Sequence, residues 1–362
     1  MKHYFLGRAA NYSRQQIWAH TFAYGTAKDS RKLCNFLAHK YQSDTEHIAL
    51  TKNGRSALAL ALKANFKKGD EIIVNGFTCY AVIEAVKAAG LTPVFADIDE
   101  TTLHFNTETL AKVITKNTQG LIIQNTFGIP VDITAIEKFA TVHNLKIIED
   151  LAHCAGVHYK DGREAGTVGV ATVLSFGKDK SIDTISGGAV ILRDPCLPLI
   201  PARSKAPKLP DRLRARFYPL FGATYRTLTH IHLASPFMAL LLKIHWIERS
   251  ADNTLDLTRR CTHWQAKLAL KQLQNLPSKP LRTFYLVKNR DEVLAKLAKS
   301  GYYFDGFWYE TPVAPARYYQ KTHFPESDCP IATRIAQQII NLPNYYTKTK
   351  LNKAIKIIKE AS

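Results

Sequence analysis

The stretch that decides the fold runs from residue 145 to residue 192 and reads LKIIEDLAHCAGVHYKDGREAGTVGVATVLSFGKDKSIDTISGGAVIL. It contains three short apolar runs, which we expect to form buried strands at 145–150, 171–176 and 188–192. Glycines and polar residues separate the runs, as is typical of the loops that join strands.

The same alternation of short apolar runs and longer periodic segments extends toward the N-terminus. The predicted strands there are 71–74, 92–98 and 120–125, and the predicted helices, from apolar spacing near 3.6 residues, are 56–66, 81–90, 107–114 and 133–144. Strands that alternate with helices of this length predict an α/β fold with a mostly parallel central sheet flanked by helices.

Polar side chains close three of the predicted strands. Asn125, Asp150 and Ser175 each lie at or near a strand's carboxyl end. Because binding sites in parallel sheets collect at that edge, we expect these residues to lie close to a site. A buried carboxylate such as Asp150 needs a partner, and a protonated pyridine nitrogen is one candidate.

Two further elements fit the same site. Lys180 lies five residues beyond Ser175, which brings a hydroxyl suited to phosphate near an amine suited to an imine bond with a carbonyl cofactor. Gly54, Arg55 and Ser56 open a predicted helix, where backbone N–H groups and the helix dipole attract phosphate. Each element alone has an ordinary interpretation: a solvated lysine, a helix-capping aspartate, or a common small-residue turn.

Taken together, these stretches resemble the DegT/DnrJ/EryC1/StrS family of pyridoxal-phosphate-dependent sugar aminotransferases. The resemblance is strong over about 50–192 and weaker over most of 256–358, where it includes WQAKLALKQLQNL and IAQQIINLP. It implies the type I pyridoxal-phosphate-dependent transferase fold, which is aspartate aminotransferase-like, and pyridoxal 5'-phosphate as cofactor.

The resemblance also implies roles for single residues. Lys180 matches the lysine that holds the cofactor and moves protons, and Asp150 matches the acid that keeps the pyridine nitrogen protonated. His153 falls where the family has Gln or His against the cofactor ring, although a histidine satisfied within the core is the alternative. Ser175 and the Gly54–Arg55 pair match the phosphate ligands.

Several positions depart from the family pattern. Cys79 stands where an aromatic residue often stacks on the cofactor, and Tyr80 or Phe77 could replace that ring. Thr258 replaces an Asn that reaches the partner subunit's phosphate, while Arg260 fits the neighbouring Arg, and Ser186 replaces an acidic residue before the Gly-Gly pair. These departures leave the substrate open.

The domain prediction places a large cofactor-binding domain at 1–255 and a small α+β domain at 256–362. Within the first, 195–255 has little similarity to the family and combines basic, proline-rich and apolar stretches. Two interpretations stay open for it: helices packed on the body of a homodimer, or a partly helical contact with an anionic membrane. Its longest largely apolar stretch contains Arg226 and two histidines, so a membrane span is not expected.

Charge and cysteine content restrict the class of protein further. Lys and Arg total 49 against 30 Asp and Glu, a formal charge of +19, which favours anionic partners such as diphosphates. The chain carries no zinc-like spacing and no nucleic-acid-binding signature, so neither a metal site nor a nucleic-acid partner is expected. Six scattered cysteines and a polar N-terminal stretch predict reduced thiols and a cytoplasmic location, at most peripheral to the membrane's inner face.

The resulting hypothesis is transfer of an amino group from glutamate or glutamine to a keto sugar, nucleotide-linked, in sugar or cell-surface glycan biosynthesis. One alternative is dehydration of a deoxysugar, but relatives with that activity have histidine in place of the cofactor lysine, and Lys180 is present. The other is a cofactor-binding protein with a regulatory or membrane-associated assembly role. The family builds each active site from two chains, which implies a homodimer.

Overall fold

A computed structural model of the chain describes residues 4–6, 12–193, 205–229, 233–243, 255–304, 308–344 and 346–361. The strands are β1 (Tyr4–Phe5), β2 (Ile48–Thr51), β3 (Glu71–Asn75), β4 (Thr78–Cys79), β5 (Thr92–Ala96), β6 (Thr118–Ile123), β7 (Lys146–Asp150), β8 (Ala171–Ser175), β9 (Gly188–Leu192), β10 (Arg282–Leu286), β11 (Tyr302–Tyr303), β12 (Val313–Ala314) and β13 (Ile339–Pro343). The helices are α1 (Arg14–Thr21), α2 (Ala27–Lys40), α3 (Gly54–Asn65), α4 (Tyr80–Ala88), α5 (Thr107–Ala111), α6 (Ile133–Val142), α7 (Leu209–Thr229), α8 (Ala234–Lys243), α9 (His263–Leu273), α10 (Arg290–Lys299), α11 (Ala316–Tyr319), α12 (Pro330–Gln338) and α13 (Lys348–Lys359).

Seven strands form the central sheet in the order β2-β9-β8-β7-β6-β3-β5. The strands from β8 to β5 are mutually parallel, and β9 runs opposite to both of its neighbours. The predicted mostly parallel sheet is therefore confirmed. Because parallel strands end at the same edge, the loops after β3, β6, β7 and β8 all emerge on one side of the molecule.

Apolar cores cover both faces of this sheet. Successive residues of one strand enter different cores, as with Ile147 and Ile148 of β7, because side chains alternate across the pleat. Helices α2, α6 and α9 contribute to the first core, and α3, α4 and α12 contribute to the second. The near-continuous apolar runs in the sequence reflect this burial on both sides.

Glu149, the residue before Asp150, is a buried charge that serves the fold. Its carboxylate is fully buried and accepts four hydrogen bonds, from the Tyr159 hydroxyl at 2.8 Å and from the backbone N–H groups of Gly166, Val168 and Gly169 at 2.7–2.8 Å. These bonds attach the loop between β7 and β8 to the sheet. The charge is tolerated because its acceptors are satisfied.

We expect Glu149→Gln to lower the free energy of unfolding by about 3 kcal/mol, because the amide NH₂ would face backbone donors in a buried site. Urea unfolding followed by fluorescence measures the change. Tyr159→Phe, which removes one donor to Glu149 and one acceptor for the Asn125 amide, should cost about 2 kcal/mol. Equal unfolding midpoints for Glu149→Gln and the wild type would contradict this account.

A third core lies in the C-terminal part of the chain. Strand β10 pairs antiparallel with β13, and helices α10 and α13 pack with them. The N-terminal strand β1 pairs with β11, so Leu6 is buried in this core. Helix α9 instead contributes Ala266, Ala269 and Leu273 to a core of the central sheet. The domain division at residue 255 stays a prediction.

Two helices, α7 and α8, occupy the described part of the atypical segment 195–255. Helix α7 packs against α1 and α8, and the Arg216 guanidinium donates to the backbone oxygens of Thr21 and Ala23 at 3.0 Å. Residues 194–204, 230–232 and 244–254, including Cys196, lie outside the described residues. Among the described helices, none has the length and apolarity needed to cross a bilayer.

Candidate active site

The carboxyl edge of the central sheet brings together the residues that the sequence singled out. Asp150 ends β7 and Ser175 ends β8, and the loop from β8 to β9 carries Lys180. Gly54 opens α3 directly after β2, and Cys79 follows β3 from the other side. Residues that are more than a hundred positions apart in the sequence therefore meet at one edge.

The Lys180 nitrogen lies inside this site rather than in solvent. Its Nζ is 2.8 Å from His153 Nε2 and 4.6 Å from the centre of the Trp308 ring. Burial lowers the pKa of Lys180, and the nearby Cys79 thiol and Asp150 carboxylate partly oppose that effect. A buried amine with a lowered pKa is a suitable nucleophile and proton carrier.

Asp150 has a buried carboxylate with unused hydrogen-bonding capacity. It is 7% exposed, and within the described residues the one hydrogen bond to its side chain comes from Ala152 N at 3.1 Å. Burial raises the pKa of Asp150, while the hydrogen bond from the Ala152 N–H lowers it. A cationic N–H placed against such a carboxylate would stabilise its charged form.

The predicted phosphate turn is only partly assembled as expected. Gly54 lies directly against Ser175: a Cβ on Gly54 would be 2.6 Å from the Ser175 Cβ and 2.8 Å from its hydroxyl oxygen. The Ser56 N–H is already used, because the Asn53 side chain caps α3 by accepting from it at 2.8 Å. The Ser56 hydroxyl accepts from Asp256 N at 3.1 Å, on another segment.

Arg55 and Tyr80 lie at the outer side of this turn. The Arg55 guanidinium is buried and forms an ion pair with Glu84 of α4. Tyr80 stacks on Tyr318, with ring centres 4.6 Å apart and planes inclined by 13°. Their roles as cofactor ligands stay predictions, because both side chains already have protein partners.

A cluster of aromatic rings beside Lys180 was missed from the sequence. The His153 ring contacts Phe127 and Trp308, with ring centres 6.1 Å and 4.9 Å away and near-parallel planes, and the Phe127 and Trp308 ring centres are 6.5 Å apart. The Arg282 guanidinium, at the start of β10, is 5.1 Å from the centre of the Trp308 ring. The only sequence signal for this cluster is the aromatic composition of FDGFWYE (304–310). Nothing in the spacing of Trp308 connects that residue with residue 180.

The proposed substitutes for the missing aromatic at position 79 lie elsewhere. Phe77 is fully buried, with its ring at an angle to Tyr309 and Phe127 at 5.2 Å and 6.5 Å. The half-buried Cys79 thiol lies near enough to affect the pKa values of both Lys180 and Tyr309. Trp308, rather than Phe77 or Tyr80, is the ring beside the Lys180 nitrogen.

The other departures from the family pattern have local partners in this chain. The Ser186 hydroxyl accepts from the Gln265 side chain at 2.8 Å. The Thr258 hydroxyl donates to the Asp256 carboxylate at 2.8 Å, and the Arg260 guanidinium lies 3.1 Å from His263 Nε2. Each contact is made within the chain itself.

A buried carboxylate fixes the loop that carries Lys180. Asp183 accepts hydrogen bonds from the Tyr12 hydroxyl at 2.8 Å, from Ile185 N at 2.9 Å and from Asp179 N at 3.1 Å. Its backbone exchanges two hydrogen bonds of 2.8 Å with the Gln272 side chain of α9. Burial raises the pKa of Asp183 from 3.8 to about 6, although these donors partly oppose the effect.

The fold and the site together define the class of protein. A mostly parallel sheet, with a half-buried lysine and a buried aspartate at its carboxyl edge, is the arrangement of a type I pyridoxal-phosphate-dependent transferase. A profile of the DegT/DnrJ/EryC1/StrS aminotransferase family matches residues 28–360, and the chain therefore belongs to that family. The resemblance inferred from the sequence is confirmed.

Individual relatives agree with this assignment. GDP-perosamine synthase of Escherichia coli O157:H7 is 36% identical over 157 residues, which cover 43% of this chain and 43% of that protein. UDP-N-acetyl-3-dehydro-alpha-D-glucosamine 3-aminotransferase of Acidithiobacillus ferrooxidans is 28% identical over 314 residues, covering 84% of this chain and 80% of that protein. The first alignment thus spans less than half of the relative's length.

A solved structure shows the same fold. The aminotransferase from Psychrobacter cryohalolentis superposes with a TM-score of 0.68 at 20% sequence identity, and the match covers 98% of both chains. The expected type I fold is confirmed by this likeness.

Pyridoxal phosphate is the cofactor of this family, and the residues present fit it. The Asp150 carboxylate has room for a cationic N–H, and the amine of Lys180 lies in the same site. Position 54 requires glycine, because a Cβ there would lie 2.6 Å from the Ser175 Cβ, and the Ser175 hydroxyl therefore lies directly beside the first turn of α3, where backbone N–H groups suit a phosphate.

The raised pKa of Asp183 predicts a pH dependence of stability. The folded protein holds this proton more tightly than the unfolded chain, so the contribution of Asp183 to stability falls as pH rises from about 4 to about 6. Relative to Asp183→Asn, the free energy of unfolding of the wild type should fall by about 2 kcal/mol between about pH 4.5 and pH 7. Urea unfolding at several pH values measures it.

The two proteins share every other ionisable group, so their difference isolates Asp183. A difference that stays constant over this pH range would show that Asp183 has an ordinary pKa.

Proposed function

We propose that this protein is a pyridoxal-phosphate-dependent aminotransferase that moves an amino group from glutamate or glutamine to a nucleotide-linked keto sugar. We place the reaction in the biosynthesis of sugars or cell-surface glycans. The observation that carries the proposal is the Lys180 nitrogen, held in a buried site with the Asp150 carboxylate. Relatives named for GDP-, UDP- and dTDP-linked amino sugars support the acceptor class.

Four residues have defined tasks in this proposal. Lys180 is the covalent attachment point and carries a proton to and from the substrate carbon. Asp150 accepts a hydrogen bond from the ring nitrogen and keeps it protonated. Gly54 and Ser175 hold the phosphate. When bound, pyridoxal phosphate supplies a carbonyl carbon and a ring that withdraws electrons from the substrate carbon.

The charge of the chain suits a substrate that carries a diphosphate. The excess of basic residues gives a formal charge of +19, which attracts an anionic substrate before any specific contact forms. Buried Arg282, 5.1 Å from the Trp308 ring, extends positive charge to the vicinity of Lys180. A neutral free sugar would gain nothing from this field.

Two alternatives are less well supported by the residues. The presence of Lys180 argues against a sugar dehydratase, because dehydratases of this family have histidine at that position. A regulatory or assembly protein that only binds the cofactor would have no need for an amine with a lowered pKa. Turnover with an amino donor separates this last alternative from the proposal.

We expect the purified protein to absorb in the visible region and to change spectrum when glutamate or glutamine is added. Lys180→Ala should lose that absorption and at least about a thousandfold in turnover, because covalent attachment and proton transfer are both removed. Lys178→Ala is a matched control, since Lys178 Nζ lies 3.9 Å from the Tyr218 ring centre on α7.

The control should retain both spectrum and turnover. A wild type that binds the cofactor but responds to neither amino donor would rule out the aminotransferase proposal and favour a binding role.

We further propose that the protein is a homodimer, with α1, α7 and α8 at the contact. Trp18 and Phe22 stack with ring centres 4.7 Å apart and are each 65% exposed, an unusual exposure for such large rings. Leu220 of α7 and Leu240 of α8 are also exposed, and α7 packs against both α1 and α8. Helix α7 also contacts the active-site loop, because Tyr218 of α7 lies against Lys178 in the loop of Lys180.

The double variant Trp18→Ser, Phe22→Ser should weaken dimerisation at least about tenfold, since large aromatic side chains dominate interface energies. Sedimentation equilibrium measures the dissociation constant, and Val142→Ser, which alters a 69% exposed residue of α6, should leave it unchanged. A monomeric wild type that pellets with anionic vesicles, and loses this in the double variant, would instead assign the surface to peripheral membrane contact.

A cytoplasmic location completes the proposal. The cysteines of the described residues, Cys34, Cys79, Cys154, Cys261 and Cys329, are all free thiols. Free buried thiols are common in a reducing compartment.

A further inference from the structure

The loop after β6 has an unusual backbone conformation next to the active site. Asn125, Phe127 and Gly128 all have positive φ angles, of 46°, 60° and 82°. A bulky residue such as Phe127 rarely adopts this left-handed conformation, so the surrounding structure must enforce it. The Asn125 amide does so by donating to the Tyr159 hydroxyl at 3.2 Å while its oxygen accepts from Val131 N at 3.0 Å.

The consequence of this conformation is a single hydrogen bond. The Phe127 N–H points to His153 and donates to its Nδ1 atom at 3.2 Å. The Phe127 carbonyl is fixed from the other side, where it accepts from Leu281 N at 2.7 Å. A backbone N–H can only donate, so Nδ1 of His153 carries a lone pair and no proton.

The neutral ring of His153 must then carry its proton on Nε2. Burial lowers the pKa of His153 well below its usual range, and the Arg282 guanidinium acts in the same direction. The imidazole is therefore neutral. With Nδ1 occupied by the Phe127 N–H, the Nε2–H tautomer is the only neutral form that satisfies both contacts.

Lys180 accepts the hydrogen bond that the Nε2–H of His153 donates. Its Nζ lies 2.8 Å from Nε2. An ammonium group has no lone pair, so it could only donate, and Nε2–H would then face another N–H. The two nitrogens can approach this closely only when Lys180 is a neutral amine.

We propose that His153 is a positioning residue: the left-handed turn at Phe127 locks its tautomer, and the Nε2–H holds Lys180 as a neutral amine in the cofactor-free protein. The lone pair needed to attack a carbonyl carbon is then available and oriented before the cofactor arrives. His153 thus acts on the lysine itself, beyond any contact with a bound ring.

The charges around Lys180 set how strong this effect must be. The carboxylates of Asp150 and Asp179 and the Cys79 thiol favour the protonated form of Lys180. Burial and the Arg282 guanidinium favour the neutral form. The Trp308 ring face, 4.6 Å away, would also attract an ammonium ion. The hydrogen bond from His153 therefore adds to the effect of burial, and both oppose four negative or electron-rich neighbours.

The first test is the tautomer. ¹⁵N spectra of the histidine-labelled, full-length protein, freed of cofactor, distinguish a bare ring nitrogen from a protonated one, and the signals that vanish in His153→Phe assign residue 153. We expect a bare Nδ1 and a protonated Nε2 at neutral pH. A protonated Nδ1, or a charged imidazolium, would overturn the proposal regardless of any activity.

The second test is the titration of Lys180. The rate at which trinitrobenzenesulfonate modifies Lys180 as a function of pH, followed by peptide mass spectrometry, reports the neutral fraction of the amine. His153→Phe preserves a ring beside Phe127 and Trp308 but removes the donor, so the midpoint pH of Lys180 modification should rise by about one unit. At a pH below both midpoints, Lys180 in the variant should therefore be modified about tenfold more slowly than in the wild type.

Controls separate this effect from damage to the fold. Lys178 in the same samples should keep its midpoint, and His153→Gln, whose amide can donate, should restore most of the shift. An unshifted Lys180 midpoint in His153→Phe would overturn the proposal. Reloading with pyridoxal phosphate confirms that each variant is folded, and neither test requires turnover, so failure here is distinct from failure of the proposed function.

Discussion

Two neighbouring carboxylates at the end of β7 show the constraint on which the site depends, namely the cost of burying a charge. Glu149 and Asp150 project to opposite faces of the sheet, and both are buried. Glu149 receives four hydrogen bonds and stabilises the loop between β7 and β8. Asp150 receives one, from Ala152 N. The difference identifies their functions: a buried charge with all acceptors satisfied belongs to the fold, and one with spare acceptors is prepared for a ligand.

The lysine side of the site depends on contacts between distant parts of the chain. Lys180 lies in a loop whose position is set by Asp183, and Asp183 is held by Tyr12 near the N-terminus and by Gln272 of α9. His153 joins this loop to the turn at Phe127. The reactive nitrogen is therefore positioned by rigid elements on several sides, as precise chemistry requires.

The sequence was sufficient for the features that local patterns encode. Apolar runs predicted six of the seven strands of 71–192, all except the two-residue β4, since burial on both faces makes each of the six a short apolar segment. Asp150, Ser175 and Lys180 could be found because strand ends in a parallel sheet share an edge. The helix predicted at 107–114 ends at Ala111, and the strand predicted to begin at residue 120 begins at Thr118. Apolar periodicity alone does not resolve the ends of such elements.

The features that were missed depend on tertiary contacts. IAQQIINLP changes from helix α12 to strand β13 at Ile339, where pairing with β10 replaces helical hydrogen bonds. Trp308 and Arg282 reach the site only because the C-terminal part of the chain folds over the sheet's edge. The positive φ of Phe127 has no signal in the sequence, because phenylalanine is among the residues least suited to it.

The departures from the family pattern have a common physical character. Where an aromatic residue is absent at Cys79, Trp308 supplies a ring beside Lys180 from another part of the chain. Where an acid is absent at Ser186, the Gln265 amide is satisfied by a hydroxyl and by backbone oxygens instead. Arg55, in the phosphate turn, is neutralised by Glu84. We interpret these contacts as replacements for the aromatic surface and the balance of charge that the family pattern provides. Because a transferase site needs those properties at given points in space, and not at given positions in the sequence, such replacements are compatible with the chemistry proposed for Lys180 and Asp150.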